Sequence, residues 1–220
     1  MSISENIRQL QKEIPSHVKI IAISKTHAPE QILEVYRTGH RLFGENRAQE
    51  LIDKQPLLPE DIQWHFVGHL QTNKVKYIAP YVSLIHSIDS LKLLKEVNKQ
   101  AQKNKRIIDC LLQFHIAQEE SKYGLSRDKA AGLLGSEDYK KMHNIRIAGV
   151  MGMATFTDDM NRVRKEFQTL KSYFDFLKTN FFADDRGFSE ISMGMTGDYK
   201  VAIEEGSTMV RIGTAIFGER

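Results

Sequence analysis

A lysine, an arginine and two turns rich in glycine and hydroxyls are the residues of this chain whose placement invites chemistry. Lys25 directly follows the apolar run VKIIAIS (Val18–Ser24). An amine at the end of a buried run that lost its hydration would be free to attack a carbonyl. The plainer alternative is a lysine that snorkels to the surface. Arg211 sits inside another apolar run, MVRIG. There a guanidinium must be paired or bear a large desolvation cost. It either pairs with a carboxylate such as Glu205 at the solvent end of a strand or donates to an acceptor on a ligand. Gly194, Thr196 and Gly197 precede one helix-like stretch, and Gly213 and Thr214 precede another. Glycine lets a backbone approach an anion closely, and hydroxyls and helix-start N–H groups donate to it. The two turns together therefore read as an anion cradle, although turn and cap chemistry alone uses the same residue types.

The elements that must position these residues follow from the patterning. Eight compact apolar runs recur: VKIIAIS (18–24), RLFGE (41–45), QWHFVG (63–68), LIHSID (84–89), RIIDCLLQFHI (106–116), IRIAGVMG (145–152), EISMGM (190–195) and MVRIGT (209–214). Runs without strict polar alternation suit strands covered on both faces, as in parallel sheets. Helical periodicity lies between them, for example from Ser90 and from Asp158, which are expected N-caps. Pro29 suits a first turn and Gly206 a stop after VAIEE. A short amphipathic helix over 5–14 precedes the first strand. Strand–helix alternation over 220 residues leaves two architectures, an open doubly wound sheet and a closed (β/α)8 barrel. The open sheet usually carries a glycine-rich fingerprint after its first strand, whereas here the first strand runs into SKTHAPE. The expectation is a single TIM-type (β/α)8 barrel domain over residues 1–220.

Composition removes other classes. A formal net charge of +3 gives no case for nucleic acid, and the basic stretch Lys99–Arg106 reads as a solvated helix end. No apolar run is long enough to span a membrane. A polar start without an apolar signal core, together with one cysteine, Cys110, points to the reducing cytoplasm. Cys110 is expected to be a buried packing residue. The histidines lack zinc-site spacing, and His65 and His69 need not share a face. Met151, Met153, Met193 and Met195 fill the core or line a pocket, and the sequence does not separate the two.

Closure of the barrel makes the first strand a neighbour of the eighth and brings Lys25 beside Thr214. A lysine next to an anion cradle and an arginine donor describes a pocket for pyridoxal 5'-phosphate (PLP): the lysine forms the aldimine, the cradle holds the phosphate and the arginine meets the pyridine nitrogen. The segments AISKTH, FGENRAQE, WHFVGHLQTNK, IHSID, GVMGMATF and SMGMTGDYKVAIEEGSTMVRIGTAIFGE resemble the pyridoxal phosphate homeostasis protein family (YggS/PROSC type) from about Val18 onward. The resemblance implies the fold of the alanine racemase N-terminal domain, PLP bound through a lysine, and a part in buffering or delivering PLP without an established reaction. It implies that Lys25 is the Schiff-base lysine and that Arg211 partners the pyridine nitrogen. Thr196, Gly213 and Thr214 match phosphate-binding positions, with Ser192, Met193 and Gly194 lining the same loop and Asn46 near the ring. Thr196 stands where many relatives have Ser, and His69 stands where some have Pro. EESKYG (119–124) also resembles a family loop, with no evident physical role.

Guanidinium only donates hydrogen bonds, so an arginine partner leaves the pyridine nitrogen unprotonated and the ring a poorer electron sink. Racemases of this fold use such an arginine, but their second base comes from a further β-domain and a partner subunit, and this chain stops six residues after Thr214. The leading expectation is a non-enzymatic, monomeric PLP carrier, with PLP-requiring apoenzymes as transient partners. A small racemase or lyase using Lys25 as base is the alternative, and a barrel binding a phosphorylated metabolite without covalent chemistry is a third.

Overall fold

The computed structural model describes residues 2–117 and 123–219. Among these, eight parallel strands close into one barrel in chain order. They are β1 (Lys19–Ile23), β2 (Leu42–Glu45), β3 (Gln63–Phe66), β4 (Val82–Ile88), β5 (Ile108–Phe114), β6 (Ile145–Gly152), β7 (Glu190–Ser192) and β8 (Met209–Ile212). The closing seam is the β1–β8 pair, whose register sets Ile21 beside Arg211 and Ala22 beside Ile212. The N-terminal helix spans Ile3–Glu13 and opens with a capping box in which Ser2 and Glu5 satisfy each other's backbone amides.

Period-two alternation divides each strand between two environments. Ala22, Phe43, Trp64, Phe66, Ile85, Cys110, Leu112, Ile191, Val210 and Ile212 face outward and form the main core with the helices. A smaller apolar set, including Ile21, Ile23, Leu84, Leu111 and Met209, fills the barrel interior. The same alternation aims Lys19, Ile21, Ile23 and Lys25 along one inward line, and Met209, Arg211 and Gly213 along another. Parallel strands bring all their C-terminal ends to one mouth, so the upper members of these lines meet there.

Three expectations need correction. The seventh strand ends at Ser192 rather than running to Met195, because Gly194 adopts φ +96° and turns the chain. A Cβ there would also lie 2.6 Å from the Ala202 Cβ, so both conformation and packing demand glycine. Asp159, not Asp158, caps the helix Met160–Phe181, accepting from the amides of Asn161 and Arg162. Glu205 is not the partner of Arg211; it pairs with Arg164 on the outer surface. Ser90 does cap the helix Leu91–Lys103, Pro29 opens the helix Pro29–Tyr36, and Gly206 follows the helix Tyr199–Glu204 with φ +91°. Cys110 is fully buried, and burial pushes its thiol pKa upward. Among the described residues no helix is long and apolar enough to cross a membrane.

Candidate functional site

A cleft of about 820 Å³ opens at the C-terminal mouth of the barrel and is lined by Lys25, Asn46, Thr196, Gly197, Arg211, Gly213 and Thr214. Most of the expected residues therefore converge, with Lys25 and Arg211 arriving from strands that pair across the seam. Ser192, Met193 and Gly194 do not line the cleft. They are buried beneath it, where Ser192 supports Arg211, Met193 joins the outer core and Gly194 makes the turn. Met153 and Met195 border the cleft, whereas Met151 is wholly buried in the barrel interior.

Lys25 is half-buried, two residues beyond β1, in a turn clamped from both sides. Its successor Thr26 has φ +66°, a conformation that a β-branched residue adopts only when its surroundings enforce it. The Thr26 amide donates to Glu50 Oε2 at 2.6 Å. On the other flank the Ser24 hydroxyl donates to Glu45 Oε1 at 2.7 Å, and Lys54 Nζ donates to the Ser24 carbonyl at 2.9 Å. Lys54 also bridges Glu45 and Glu50 at 2.8 and 3.2 Å, so one buried ammonium ties both carboxylates into the clamp. Burial raises the Glu45 pKa, and the hydrogen bonds from Lys54 and Ser24 oppose that rise.

Arg211 is 5% exposed, and among the described residues no carboxylate hydrogen-bonds to it. Nη1 donates to the Ser192 carbonyl at 2.8 Å and the Ser192 hydroxyl at 2.7 Å, and Nη2 donates to the Gly152 carbonyl at 3.0 Å. Burial brings its pKa down to about 10, against the opposing pull of Asp198, so it remains cationic at neutral pH. Neutral acceptors orient the fork without cancelling its charge.

The lining also holds residues that sequence reading missed. Gln113 of β5 donates from Nε2 to the Tyr123 carbonyl at 3.1 Å. The Tyr123 ring stacks on His69 with centroids 4.1 Å apart, and His69 Nδ1 lies 3.5 Å from Asp89 Oδ2. Of the segment 119–124, residues 119–122 lie outside the described residues. His65 and His69 do not share a face: His69 borders the cleft, while His65 is buried with its Nδ1 2.8 Å from His86 Nε2. His86 Nδ1 in turn lies 2.9 Å from the Ser192 hydroxyl.

Fold and site together define a barrel of the alanine racemase N-terminal type, and the family described as "Alanine racemase, N-terminal domain" matches residues 1–220. Within that class the chain belongs to the pyridoxal phosphate homeostasis protein family. It is 40% identical over 203 residues to the pyridoxal phosphate homeostasis protein of Aquifex aeolicus, covering 92% of this chain and 87% of that one. It is 35% identical to the protein of the same name from Pasteurella multocida, with 100% and 98% covered. PipY of Synechococcus elongatus, solved with PLP bound, superposes with a TM-score of 0.89 at 31% identity, covering 99% of this chain and all of that one. The two curated relatives are named for homeostasis and not for a reaction.

Proposed function

We propose that the chain binds PLP in the C-terminal cleft, covalently through Lys25, and serves to buffer the cofactor or deliver it to apoenzymes. The observation that carries this reading is the meeting, in one cleft, of Lys25 from the first strand and Arg211, Gly213 and Thr214 from the eighth. When bound, PLP supplies an aldehyde that an amine can capture and a pyridine ring whose nitrogen accepts a hydrogen bond.

The residues present fit that group. The Lys25 amine condenses with the aldehyde and releases water. Arg211 offers a donor-only cation to the ring nitrogen. Thr196, Thr214, Gly197 and Gly213 hold the phosphate, and a Cβ at Gly197 would meet no protein atom within 4 Å, so packing does not demand the glycine while a bound anion would use the space. Asn46 Oδ1 is buried without a hydrogen-bond partner among the described residues and can accept from a donor on the ligand. Ser192 acts through Arg211, and Met193 and Gly194 shape the phosphate turn.

We read the chain as a carrier and not an enzyme: the relatives it matches are named for homeostasis and not for a reaction, and an arginine-paired pyridine disfavours aminotransferase-like carbanion chemistry, although racemases of this fold work with the same arginine. The same reading places it in the cytoplasm as a monomer, with no nucleic acid or membrane partner. Purified protein then absorbs in the visible region, and Lys25→Ala abolishes that absorption; a colourless protein that takes up no added PLP contradicts the reading. Incubation with L- or D-amino acids in deuterated water tests the carrier role. No exchange of the α-proton is expected, and rapid exchange would establish the racemase or lyase using Lys25 as base.

A further inference from the structure

We infer that His65, His86 and Ser192 form a one-way hydrogen-bond chain through the barrel interior that holds Arg211 as a charged donor toward the cleft, with both histidines protonated on Nε2. The chain crosses four strands. Register places His65 of β3 beside Leu84 of β4, so His86, two residues on, faces the same interior side. Register likewise places Ser192 of β7 beside Met209 of β8, so Arg211 stands one layer above it.

The polarity follows from two chemical facts: guanidinium has no acceptor, and a buried serine hydroxyl that only accepted, from both Arg211 and His86, would leave its own proton unpaired. Arg211 Nη1 donates to Ser192 Oγ at 2.7 Å, so the serine proton must go elsewhere, and its other neighbour at hydrogen-bond distance is His86 Nδ1 at 2.9 Å. His86 must then carry its own proton on Nε2, which donates to His65 Nδ1 at 2.8 Å. His65 in turn carries its proton on Nε2. That last N–H is left for a second cavity, about 570 Å³ at the opposite mouth of the barrel, which His65 lines.

Every member thus presents a lone pair toward the cation and a proton away from it. Aligned dipoles of this kind strengthen one another in a poorly polarisable interior and offset the cost of burying Arg211. Both histidines stay neutral: burial takes His65 down to about 3 and His86 far below its ordinary value. A carboxylate in their place would tie the guanidinium into an ion pair. Neutral acceptors leave its charge available to a ligand. The chain itself stands on geometry, and only its purpose rests on PLP as the occupant of the cleft.

The test is a two-bond 1H–15N correlation on the full chain carrying 15N-histidine at pH 7, assigned with His65→Gln and His86→Gln. Both histidines should show an unprotonated, pyridine-type Nδ1 and a protonated, pyrrole-type Nε2. In Ser192→Ala the His86 Nδ1 signal should move downfield as it loses its donor, and Ser192→Thr, which keeps the hydroxyl, should hold the original position. Ser192→Ala should also weaken PLP retention about tenfold and change the visible spectrum of the bound cofactor, with Ser192→Thr restoring both. A His86 protonated on Nδ1, or one unmoved by Ser192→Ala, overturns the chain. The expected histidine signals with unchanged PLP retention and spectrum in Ser192→Ala overturn its role in presenting Arg211. The expected signals in a protein that takes up no PLP support the chain and contradict the PLP reading instead.

Discussion

Lys25 owes its position to a clamp of polar side chains from the end of β2 and the segment after it. Thr26 is held in the left-handed region at a cost of about 1–2 kcal/mol, which the hydrogen bond from its amide to the Glu50 carboxylate offsets. Glu50→Ala should lower unfolding free energy by about 2 kcal/mol in urea titrations and weaken PLP retention, whereas Glu50→Gln, which keeps an acceptor, should do less of both. Equal effects of the two variants would show that the clamp does not depend on a hydrogen bond to Thr26. At this scale the sequence makes Lys25 and Arg211 visible because a charged residue at or inside a buried run is conspicuous. It does not reveal what Glu45, Glu50 and Lys54 do, because a carboxylate closing a strand and two polar residues at opposite ends of a short helix look like an ordinary solvated face until the turn they grip is seen.

Strand ends decide what the elements can present. The run EISMGM reads as one strand from composition, yet a glycine at positive φ cuts it after three residues and converts its second half into the turn beneath Arg211. The Arg211 amide then donates to the Gly194 carbonyl at 2.9 Å, so the turn and the arginine strand are locked together. Gly194→Ala combines a disfavoured backbone with a 2.6 Å clash and should destabilise the fold by about 2–3 kcal/mol, read as a lowered denaturation midpoint with an unchanged slope. A midpoint equal to that of the parent would mean that the turn tolerates a side chain. Element order, by contrast, was legible: compact apolar runs separated by stretches of period 3.6 survive small boundary errors, and the barrel follows from counting the runs. Register was not, and without it His65 and His86, 21 positions apart, show no sign of touching.

Across the whole molecule, a closed sheet lets the first and last strands build one cleft while a polar column threads an otherwise apolar interior. That column has a consequence for stability. The unfolded chain protonates His65 below about pH 6.5, but the folded chain, with Lys19 and His40 facing that ring and burial dominating, does so only near 3. The folded state therefore binds fewer protons across that window, and its stability is full above pH 6.5 and falls as acid is added. The loss is about 2 kcal/mol at pH 5 from His65 alone. His86, which faces Arg211, adds to it in the same direction, while Glu45, whose pKa is raised, acts in the opposite one. The difference between the parent and His65→Gln isolates the effect: the variant should lose less stability between pH 7 and pH 5, and parallel pH profiles would refute the burial argument.

Covalent PLP binding turns on the amine of Lys25 capturing an aldehyde inside the barrel mouth. Borohydride reduction of the protein as isolated, followed by peptide mass mapping, measures that directly. We expect one phosphopyridoxyl adduct on the peptide containing Lys25 and none in Lys25→Ala. An unmodified Lys25 peptide in protein saturated with PLP, or an adduct confined to another lysine, would contradict it.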